Sequence, residues 1–99
     1  MILAIDFDDT IHDTHNVPEG RKMGPPIEGA KEALTKFKTQ GHTIIIHSVW
    51  GDDQKTIGDW MKYYEIPYDA ITNIKPHADV YLDDKAVRFI SWLDTQDLT

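Results

Sequence analysis

The chain has 99 residues, 40% of them hydrophobic, with a formal net charge of −7 and no cysteine. This length suits one domain with one modest core, and the composition excludes disulfides, thiolate catalysis and a cysteine-based zinc site. The acidic balance argues against a broad electrostatic grip on nucleic acid, which needs a basic face, so any bound anion has to be held locally. A metal ion supplies such local positive charge directly. No apolar run approaches the roughly 20 residues of a membrane span. Asp6 also interrupts the first apolar segment too early for a signal peptide. The expectation is a soluble, cytoplasmic protein with no membrane partner.

In chain order, residues 2–7 (ILAIDF) are short, apolar and β-branched, and predict a buried strand. Residues 12–26 (HDTHNVPEGRKMGPP) are polar and rich in glycine and proline, which predicts a loop acting as a small flap. Ile27, Ala30, Leu34 and Phe37 recur at helical spacing, and Gly41 stands where a left-handed glycine ends a helix. Residues 42–49 (HTIIIHSV) predict a second strand, and Asp52 or Asp53 a helix N-cap. Ile57, Trp60, Met61 and Tyr64 then mark one helical face, closed by Ile66 and Pro67. Strands follow near 69–72 and over 79–84 (DVYLDD). A last helix begins at Lys85 and carries Val87, Phe89, Ile90 and Leu93 on its apolar side.

This alternation predicts an α/β domain built on a parallel sheet covered on both faces. In such sheets ligands bind outside the carboxyl ends of the strands. Asp6 and Asp8 close the first strand, Ser48 the second and Asp83-Asp84 the last, with Lys75 just ahead of that last strand. Carboxylates this crowded raise one another's pKa, so a counterion is expected. Mg²⁺ fits, because it takes one or two carboxylates, several waters and a substrate phosphate oxygen. In extended geometry Asp6 and Asp8 would share a side while Phe7 packs inward. One carboxylate could then attack phosphorus while the other exchanges a proton with the leaving oxygen. Ser48 could hydrogen-bond a phosphate oxygen, and Lys75 could neutralise its charge.

Read together, AIDFDDTI, TIIIHS, Lys75-Pro76 and VYLDD resemble, in that order, the four motifs of the haloacid dehalogenase superfamily. The resemblance spans residues 2–85. It implies a Rossmann-like, three-layer core over residues 1–99 with a short parallel sheet. Asp6 would be the nucleophile and a Mg²⁺ ligand. Asp8 would be the general acid and base, its backbone carbonyl also on the metal. Thr10, matched to the first motif, would join Ser48 and Lys75 on the phosphate side. Asp83 and Asp84 would complete the metal site. An aspartate at position 8 is typical of the superfamily's phosphatases and not of its dehalogenases. The gaps where most members insert a cap domain are short here, so a capless phosphatase is implied.

The expected activity is Mg²⁺-dependent hydrolysis of a phosphomonoester, on a small phosphorylated metabolite or nucleotide. A polynucleotide end ranks second: an open site suits a bulky substrate, or a homo-oligomer whose neighbouring subunit serves as lid. A non-catalytic phosphate- or metal-binding module on the same fold is the third reading. Of the remaining polar residues, Asp9 reads as a turn residue and His47 as packing. His12 and His15 lie near the site without a third metal ligand. Arg21 and Lys22 are candidate anion contacts on the flap, and Trp50 reads as packing before a stacking platform.

Overall fold

The computed structural model of the chain describes residues 1–48, 54–74 and 76–83. Its elements are β1 (Ile2–Asp6), α1 (Ala30–Thr39), β2 (Thr43–His47), α2 (Gln54–Tyr63), β3 (Ala70–Thr72) and β4 (Val80–Leu82). The strands form one sheet in the order β3-β2-β1-β4, with every pairing parallel. Each strand expected from the sequence is present. The expected last helix, Lys75 and the 49–53 turn with its N-cap lie outside the described residues.

Side-chain alternation sorts the sheet into two faces. Leu3 and Ile5 of β1, Ile44 and Ile46 of β2 and Leu82 of β4 join one buried cluster with residues of both α1 and α2. Both helices therefore cover the same face. Ala4, Asp6, Ile45, His47 and Tyr81 have the opposite parity. On α1 the apolar stripe is Ala30, Ala33, Leu34 and Phe37, all fully buried. On α2 it is Ile57, Trp60 and Met61, with Tyr64 half-buried beside them.

Both helices end in the same backbone motif, and the two solve its left-handed residue differently. After α1, Gly41 has φ +89°, its N–H bonds the Lys38 carbonyl, and His42 N–H bonds Phe37. The rings of Phe37 and His42 meet edge-on at 6.3 Å, sealing the turn. After α2 the equivalent residue is Glu65 at φ +57°, with Ile66 N–H bonding the Met61 carbonyl at 2.9 Å. Glycine makes the first turn without strain; glutamate makes the second against a steric cost.

α1 begins later than its apolar spacing suggests. Ile27 N–H is spent on the Ile11 carbonyl at 2.8 Å, and Gly29, at φ +89°, turns the chain into the helix. Ile27 packs on the core from the loop instead of from the helix.

Two aspartates lace the amino-terminal edge of the sheet. Asp69 accepts the Ile44 N–H at 2.7 Å and Lys38 Nζ at 2.8 Å, while Asp79 accepts the Ile2 N–H at 2.6 Å. The Ile44 N–H first, and Lys38 second, hold the Asp69 carboxyl below its ordinary value. The opposite, carboxyl-terminal edge carries Asp6, Ser48 and Asp83. No helix among the described residues is long and apolar enough to cross a membrane.

Candidate active site

The turn that follows β1 is built around one carbonyl. Phe7 C=O accepts the N–H groups of Ile11 and His12, each at 2.9 Å, and Asp9 N–H bonds the His12 carbonyl at 2.7 Å. The turn needs a residue in the left-handed region, and Asp9 supplies it at φ +61°. Its carboxylate then accepts Thr14 Oγ1 at 2.6 Å, so Asp9 is a turn residue as its sequence context suggests. Phe7 is buried in the core, as the alternation predicts.

The same turn separates Asp6 from Asp8. Strand geometry stops at Asp6, so Asp8 is placed by the turn and not by strand alternation. Asp6 lines a small cavity of about 160 Å³ with Ala4, His47, Tyr81, Leu82 and Asp83, on the sheet face away from α1 and α2. Asp8 lines a larger cleft on the α2 side, with His12 and the flap. Asp6 and Asp8 thus each line a cavity at the end of β1.

Asp6 and Asp83 come together because β1 and β4 are neighbours. Ile5 pairs with Leu82, and one step further places Asp6 beside Asp83. Strand order reverses here, since β2 and β3 extend one way from β1 and β4 lies on the other side. Ligand sites of open parallel sheets form at such a reversal. Among the described residues no group of three or more histidines and carboxylates converges as a metal cage. Two adjacent carboxylates, all-oxygen and open to solvent, nevertheless suit Mg²⁺, which retains much of its water. Asp84 and Lys75 lie outside the described residues.

Ser48 ends β2 almost fully buried, its N–H bonded to the Thr72 carbonyl at 3.0 Å. Thr10 is fully buried in the turn, with no solvent-accessible surface. Both hydroxyl residues expected on the phosphate side, Ser48 and Thr10, are thus withdrawn from solvent in this structure.

One residue of the site was not singled out for this role from sequence. His12 is buried, its ring stacked on Phe7 at 5.1 Å and edge-on to Trp60 at 5.5 Å. Gly24 N–H points at His12 Nε2, 2.8 Å away, so that nitrogen accepts and the proton sits on Nδ1. Nδ1–H in turn donates to Asp8 Oδ1 at 2.9 Å. The signal available in the sequence was the four-residue spacing across a turn, which brings a histidine back onto an aspartate. A polar loop composition hid it.

Gly24 also carries the far side of this chain of bonds. Its carbonyl accepts Trp60 Nε1–H at 3.0 Å, and Asp13 N–H bonds Pro25 at 2.9 Å. The flap of residues 12–26 is thereby fastened to α2 and to the turn, with its outer part, 14–22, exposed.

No protein-family model matches the sequence, and no curated protein matches it. A solved structure described as a conserved protein coded by a locus of Bacteroides thetaiotaomicron is similar to this chain, with a TM-score of 0.78. The match covers 99% of this chain and 88% of that one at 24% identity. Likeness at that identity shows the fold. It is a small α/β fold with an all-parallel sheet, compatible with a Rossmann-like arrangement.

Proposed function

We propose that this protein is a Mg²⁺-dependent phosphomonoesterase of the haloacid dehalogenase type, working through an aspartyl-phosphate on Asp6 and without a separate cap domain. The observation that carries the reading is Asp6 beside Asp83 at the strand-order reversal, followed within one turn by Asp8 held by His12. A solvated strand end would have no need of a buried histidine aimed at its second aspartate. A small phosphorylated metabolite or nucleotide is the substrate class that a net charge of −7 favours over a nucleic-acid end.

An oxygen of the Asp6 carboxylate attacks phosphorus, and the bond from phosphorus to the leaving oxygen breaks. Asp8, in its acid form, gives that oxygen its proton. Asp8, now a carboxylate, takes a proton from a water whose oxygen attacks the phosphorus. Phosphate leaves and Asp6 is regenerated. Mg²⁺, held by Asp6, the Asp8 carbonyl, Asp83 and Asp84, would offset the negative charge on the transferring phosphoryl group. Ser48 and Lys75 would bind its remaining oxygens.

Phosphate release from an aryl phosphate is expected with Mg²⁺ and absent with EDTA. Mg²⁺ in excess over its Kd is also expected to raise the melting temperature, by linkage. A folded protein that binds Mg²⁺ yet turns over no phosphomonoester would instead be a binding module.

His12 acts in this scheme by positioning Asp8. His12→Phe keeps a ring against Phe7 and Trp60 but removes the donor. It is expected to lower kcat by about 5- to 10-fold, the worth of one hydrogen bond, with KM little changed. His12→Asn, whose amide can replace Nδ1–H, is expected to recover part of the loss. Equal kcat in all three proteins would assign His12 to packing alone.

A further inference from the structure

The cleft that Asp8 lines measures about 390 Å³, within the size range of small-molecule pockets. Its walls include four apolar residues, Phe7, Ile57, Val17 and Met23, beside Thr14 and Thr56. Among the described residues that line it, Asp8 is the one carboxylate and Lys22 the one side-chain cation. His12 contributes a neutral ring, since its Nε2 is committed to the Gly24 N–H.

We propose that this cleft is the leaving-group subsite, and that it accepts an alcohol with a compact aromatic or aliphatic body bearing a second anionic group, which meets Lys22. The inference rests on the phosphatase reading and narrows its substrate class. The geometry follows from the proton transfer. A general acid must lie within hydrogen-bond reach of the oxygen it protonates, so the leaving oxygen sits at Asp8. Whatever that oxygen is bonded to extends from Asp8, and the cleft is the cavity that opens there.

The lining then selects by chemistry. A polyol or sugar would shed hydration against Phe7, Val17, Met23 and Ile57, a cost that Thr14 and Thr56 offset only in part. An aromatic or aliphatic body loses nothing there, and the Met23 thioether adapts to its shape. Lys22 adds an electrostatic preference. On a chain of net charge −7 the cleft presents a cation on its flap wall, which favours a ligand carrying a negative group away from the phosphate. A polymer end needs a run of positive surface instead, and one lysine does not provide it.

The test uses the whole chain, isotope-labelled, and ligands that need no catalysis. Titration with para-hydroxybenzoate, the alcohol product of para-carboxyphenyl phosphate, is expected to shift the amide signals of Val17, Lys22, Met23 and Ile57. Lys22→Ala is expected to weaken that binding about tenfold, while phenol binds both proteins alike and glycerol shifts none of these signals. In turnover, the same variant is expected to cut the preference for para-carboxyphenyl over phenyl phosphate by about tenfold. Absence of the shifts, equal binding by Lys22→Ala, or equally strong shifts from glycerol or a short oligonucleotide would overturn the subsite. Phosphate release without those shifts would do so while leaving the phosphatase standing. Binding at the cleft with no turnover of any phosphomonoester would overturn the phosphatase reading and, with it, the leaving-group assignment.

Discussion

Gly24→Ala is expected to destabilise the protein by about 3 kcal/mol, which for a domain of this size lowers the Tm by roughly 12–24 °C. A β-carbon at position 24 would overlap the carbonyl oxygen of Asp13 and stand 3.4 Å from that of Asn16. The Asp13 carbonyl is backbone, so it cannot rotate away. Moving residue 24 outward breaks the two bonds that fasten the flap, Gly24 N–H to His12 Nε2 and Trp60 Nε1–H to the Gly24 carbonyl. His12 and Trp60 are both buried, so each is left with a polar atom lacking its partner, which costs more than the bond itself contributed. Thermal melts of the two proteins decide the matter. A Tm within two or three degrees of wild type would show that the flap tolerates displacement and that its anchoring adds little to the fold. Because His12 also holds Asp8, the variant is expected to lose activity at temperatures where it is still folded.

Asp6→Asn is expected to reduce phosphate release by about 10³-fold or more, corresponding to at least about 4 kcal/mol of transition-state stabilisation. An amide oxygen of similar size takes the place of the carboxylate proposed to attack but does not form the acyl phosphate. The same change removes one of two carboxylates that line one cavity at the ends of β1 and β4. A Tm close to that of wild type would tie the loss of turnover to chemistry and not to the fold. Mg²⁺-dependent stabilisation should weaken in parallel with activity. A loss of turnover with Mg²⁺ stabilisation intact would separate nucleophile from ligand at Asp6. Activity retained at a tenth of wild type or better would move the attacking group elsewhere, and the aspartyl-phosphate scheme with it.

The repeating elements were readable because each rests on a local pattern. Ile44 and Ile46 announce a buried strand, and Leu34 and Phe37 a helix face, whatever surrounds them. Gly41 marked its helix end because few other residues adopt its φ of +89° at so little cost. Ile27 shows the limit of this reasoning. Its spacing fits the helix, but its N–H was claimed by Ile11, sixteen positions earlier and invisible to a periodicity. The pairing of Asp6 with Asp83 was legible in outline, since both end apolar runs. That they stand side by side depends on β4 lying next to β1.

The residue order by itself thus determined a parallel α/β chain with its carboxylates at strand ends, because alternation and strand-end polarity are properties of a few neighbours. What only the tertiary structure decided is how those carboxylates are placed and held. The turn closing on the Phe7 carbonyl ends the alternation at Asp6 and sets Asp8 in the cleft against His12. Burial of Thr10 withdraws its hydroxyl from solvent, and packing of His12 between Phe7 and Trp60 brings its Nδ1–H onto Asp8. Each of these depends on contacts between segments that sequence distance separates, where hydrogen-bond satisfaction and core packing outweigh local preference.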